Sequence, residues 1–65
     1  MEYRVDVFNG NGGHTIDYFT TKADADAFAT KKMQEHPDHH MFLLKEIESM
    51  HGFYDVIRMY NGKES

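Results

Sequence analysis

Sixty-five residues with no cysteine make one small domain, which excludes a disulfide framework and any thiolate metal site. Seven basic and eleven acidic residues leave a net charge of −4, and only Lys31 and Lys32 among the basic ones are adjacent, which argues against a duplex-binding face. Four tyrosines, five phenylalanines and five methionines supply a core and argue against disorder, and no apolar run nears the ~20 residues of a membrane-spanning helix.

Residues 2 to 8 alternate as a strand, with Tyr3, Val5 and Val7 on one face and Glu2, Arg4 and Asp6 on the other. A signal peptide needs a continuous apolar stretch, so this start reads as that of a soluble, cytoplasmic chain. Asn9-Gly10-Asn11-Gly12-Gly13 is a turn, because glycine and asparagine accept positive φ at little cost. Residues 14 to 20 return as a second strand, with Ile16 and Tyr18 opposed to Thr15, Asp17 and Phe19.

Thr21 is the expected N-cap, with Asp24 at the third helical position and Asp24 and Asp26 favouring the positive end of the helix dipole. The helix is expected from Lys22 to Glu35. Ala25, Phe28, Ala29 and Met33 form its apolar stripe, and Pro37 disfavours helical backbone at His36. After the polar loop His36-Pro37-Asp38-His39-His40 come a third strand over 41 to 48, a turn at Ser49-Met50-His51-Gly52, and a fourth strand over 53 to 60. Asn61 to Ser65 form a short tail.

The fold class is therefore α+β, a ββαββ chain with a four-stranded antiparallel sheet in spatial order 2-1-3-4 and one helix packed on one face. One helix leaves the other face open. Strands three and four are apolar on both sides, so large apolar groups must fall on that face in either register. Phe42, Leu44, Val56 and Tyr60 are the expected contacts for a partner, with Leu43, Ile47, Phe53 and Ile57 inward. A β-bulge near Lys45 is the device that would re-aim part of this surface.

Chemical motifs are sparse. There is no nucleophile elbow, HExxH, P-loop or Rossmann glycine pattern, and the glycine-rich turn joins two strands without opening a helix. No catalytic, cofactor-binding or metal-binding residue is assigned. His36, His39 and His40, near Glu35 and Asp38, read as a solvated loop, because neighbouring His39 and His40 splay apart on a strand. The aromatics lack the basic track that stacking on single-stranded nucleic acid needs.

The joint Asp17 to Ala29 resembles the strand-to-helix step of small ββα modules such as the arm-binding domains of phage-type integrases. Those modules are basic and this chain is acidic, so no residue role is carried over. The leading expectation is a small non-enzymatic interaction module, of the kind found among bacterial or phage accessory proteins, that forms a homodimer or docks on a protein through its open sheet face. A nucleic-acid-associated accessory domain is the second reading, and a metal- or pH-responsive module using His36, His39 and His40 the third.

Overall fold

The computed structural model describes residues 2–61, with the side chain of Asn61 excepted. Its elements in chain order are β1 (Tyr3–Phe8), β2 (His14–Phe19), α1 (Lys22–Glu35), β3 (His40–Glu46) and β4 (Tyr54–Asn61). All three strand pairings are antiparallel and the sheet runs β2-β1-β3-β4, the order expected from the sequence. Of the expected tail, residues 62–65 lie outside the described residues.

The first hairpin owes its register to its turn. The side-chain oxygen of Asn9 accepts from the backbone N–H of Asn11 at 2.8 Å and of Gly13 at 2.9 Å. Gly10 and Gly12 take the left-handed φ values of 82° and 83° that a side chain would resist. Phe8 is thereby set opposite His14, and each pair behind it follows.

Thr21 is the N-cap in extended backbone, and its hydroxyl accepts from the N–H of Asp24 at 3.2 Å. Thr21→Ala is expected to cost about 1 kcal/mol. Its urea midpoint checks this, and an unchanged midpoint would mean the cap is idle. At the other end the His36 N–H donates to the Lys32 carbonyl at 2.8 Å, and Pro37 stops the helix there.

The core lies between α1 and one face of the sheet. Val5 and Val7 of β1, Met41 and Leu43 of β3, and Tyr60 of β4 meet Ala25 and Ala29 of the helix. Both alanines are fully buried, so the helix backbone sits close to the strands, while Phe28 and Met33 pack at the margin. Phe28 rests against Phe19 with ring centroids 5.1 Å apart.

Two expectations about the second hairpin are corrected. The third strand ends at Glu46, because the chain from Ile47 to Phe53 closes on itself. There the N–H of Ile47 donates to the Phe53 carbonyl at 2.8 Å, and Met50 and Phe53 close further turns within the loop. Ile47 is thus only half-buried and Phe53 is 59% exposed, not inward. The β-bulge expected near Lys45 falls between Leu43 and Leu44, and it takes Ile57 out of the inward set. Leu43 pairs with Arg58 and Leu44 with Val56, so Ile57 is an extra residue on β4. The bulge breaks the alternation: Val56 stays on the open face, while Arg58 and Tyr60 turn toward the helix. Ile57, without a partner across the ladder, is 42% exposed.

Tyr60 accordingly belongs to the core and not to the open face. It is 4% exposed, and its hydroxyl donates to the carboxylate of Asp26 on α1, which also accepts from Arg58 Nη1 at 3.1 Å. Burial first, and the bond to Asp26 second, push the Tyr60 hydroxyl up to about 12 from its ordinary value of 10.0. The stability this gives is fully present below about pH 10 and is lost as pH rises through about 12. Tyr60→Phe is expected to cost about 1 kcal/mol at pH 7 and to make alkaline unfolding less steep. A variant with an unchanged alkaline profile would remove this role.

Candidate functional site

The face opposite α1 is built by residues that pair directly across the four strands. One row runs Tyr18, Arg4, Leu44, Val56 and the next runs Ile16, Asp6, Phe42, Met59, each from β2 to β4. Both rows have apolar side chains at the two edges and on β3, with a charged residue on β1. A third row brings His14, Phe8 and His40 together.

The two central charges are neutralised within the face. Arg4 Nε donates to Asp6 Oδ1 at 2.8 Å and Arg4 Nη2 to Oδ2 at 3.0 Å, a bidentate pair. Asp6 is 7% exposed, and His14 Nε2 lies 3.5 Å from its second oxygen. The Arg4 guanidinium also sits 4.7 Å from the centre of the Tyr54 ring, whose hydroxyl donates to Glu2. That hydrogen bond first, then burial and neighbouring carboxylates, raise the Tyr54 hydroxyl to about 12. Arg4 and Tyr54 stand on the strands that flank β3, so their contact arches over Leu44.

Of the expected contact residues, Phe42, Leu44 and Val56 are on this face and Tyr60 is not. Leu44 keeps only 7% of its surface beneath the Arg4–Tyr54 arch and supports the face from below. Phe42 is half-buried, edge-on to Phe8 at 5.7 Å, and Phe8 stacks on His14 at 4.1 Å. Val56 is 53% exposed.

The larger part of the exposed surface comes from residues the sequence argument left aside. Ile16, Tyr18 and Met59 are exposed, Met59 most of all at 70%. The signal for the first two was available. A five-residue turn from Asn9 to Gly13 sets Asp6 against Ile16 and Arg4 against Tyr18, which puts both on the face away from Val5 and Val7. Met59 had no such signal, since only the bulge decides its side.

Among the described residues no helix is long and apolar enough to cross a membrane. No family model matches the chain, and neither a curated protein nor a solved structure does.

Proposed function

We propose that this chain is a small non-enzymatic interaction module whose open sheet face packs on a second copy of itself, in a reducing, cytoplasmic setting that a cysteine-free chain suits. The observation that carries the reading is the pair of rows in which Ile16, Tyr18, Val56 and Met59 remain exposed around an Arg4–Asp6 pair that is already satisfied. The Arg4–Asp6 pair adds no net charge to the centre of the face, Glu2 and Glu46 bring negative charge to one end of it, and the apolar edges gain by losing water.

The rows also favour one arrangement. A two-fold axis lying between the sheets and along the strands sets β2 of one copy over β4 of the other and keeps each row facing itself. Ile16 then meets Met59, and Tyr18 meets Val56. Strands of this length and spacing give roughly 400–500 Å² per partner, so the pair buries about 1,000 Å², near the lower end of specific interfaces. Contacts of this size are typical of weak, transient pairs, and micromolar association is the expectation. Sedimentation equilibrium at high micromolar concentration is expected to show a dimer that dissociates on dilution. A monomer at that concentration removes self-association and leaves the face to a foreign protein.

A further inference from the structure

We propose that the turn leaving α1 is a binding site for a divalent late first-row metal ion such as zinc, held by His36, Asp38 and His39. The three side chains each offer one donor atom, and these atoms lie within 4.8 Å of one another. Tetrahedral zinc with bonds near 2.0–2.2 Å needs donors about 3.4 Å apart, so the set closes when the side chains turn inward.

The local backbone is built to hold this arrangement. The His36 N–H is tied to Lys32 at the end of the helix, and the His39 N–H donates to the His36 carbonyl at 3.0 Å. Pro37 stiffens the turn between them. The two imidazoles are stacked, with centroids 4.5 Å apart and planes within 10°, so one ring must turn out of the stack before both in-plane lone pairs reach one ion. The spacing is that of a turn and not of a helix, which is why the sequence shows no familiar metal motif. His40, the expected third member, starts β3 and sits opposite Phe8 on the open face, and Asp38 takes its place in the cluster.

The surroundings suit a cation. The C-terminal end of α1 carries partial negative charge. Lys32 lines the same cleft as His36 and His39, and its ammonium is turned to Glu35 at 3.8 Å and lies over the Phe28 ring at 5.6 Å. His36 and His39 also border a cleft of about 440 Å³ that reaches His14 and Asp17 on β2, where water or an added ligand can complete the coordination. Two imidazoles and one carboxylate select zinc, nickel or copper over magnesium or calcium, which prefer oxygen donors.

The test is calorimetric titration of the full, untagged chain with Zn²⁺, followed by imidazole nitrogen NMR. One Zn²⁺ per chain is expected, with the His36 and His39 signals shifting first and excess Mg²⁺ not competing. His36→Ala and His39→Ala should each weaken binding by at least about tenfold, since losing even an outer partner of a metal ligand costs that much. Among the described residues neither side chain makes a hydrogen bond, and an unchanged circular dichroism spectrum confirms that each variant is folded. His40→Ala and His51→Ala should bind as the wild type does. No heat with Zn²⁺, or equal losses in all four variants, would overturn the site.

Discussion

Leu43→Ala is expected to leave most of the chain unfolded at 25 °C. Leu43 is fully buried on one of the two central strands, between Val5 on β1 and Arg58 on β4, in the cluster that α1 covers. Truncating a buried leucine to alanine costs about 2–5 kcal/mol, and the spread depends on how far the site collapses. Here collapse is limited, because Ala25 and Ala29 already bring the helix close and carry only methyl groups, too short to reach into a void. The net stability of a domain this size is only roughly 3–5 kcal/mol. Circular dichroism and a urea melt check the outcome. A cooperative transition within about 1 kcal/mol of wild type would mean that Leu43 is not at the centre of the core.

The first two-thirds of the chain is legible in its sequence because local chemistry and tertiary packing agree there. Thr21 and Pro37 bound the helix, the Asn9–Gly13 turn bounds the hairpin, and Tyr3, Val5 and Val7 can face only one way. The last third is less legible for a physical reason. From Val56 to Tyr60 every residue except Arg58 is apolar, so no pattern marks which side is inward. A contact distant in sequence decides it, as Asp26 on the helix draws Tyr60 and Arg58 to its side and the bulge at Ile57 absorbs the half-turn. The same strand order arises with or without the bulge, which is how the architecture could be read correctly while one contact residue was placed on the wrong face.

The bulge also decides which residues test the open face cleanly. Tyr60→Asp would disrupt the core and Leu44→Asp would bury a charge beneath the Arg4–Tyr54 arch, so either would lose association by losing the fold. Ile16 and Met59 are free of that confusion: they are 42% and 70% exposed, and at such positions substitutions usually change stability by no more than about 0.5 kcal/mol. Ile16→Lys and Met59→Glu are each expected to weaken self-association by at least about tenfold, or 1.4 kcal/mol, with unchanged thermal melts. In each homodimer two charged groups would lie against apolar partners with no counter-ion. Mixing the two variants should restore dimers. In the mixed pair one contact keeps its native isoleucine and methionine, while the other sets lysine over glutamate, since residues 16 and 59 share a row. Sedimentation of each variant alone and of the equimolar mixture separates the possibilities. Variants that still dimerise would rule out the face. Variants that dissociate but fail to recombine would keep the face and reject the arrangement of β2 over β4.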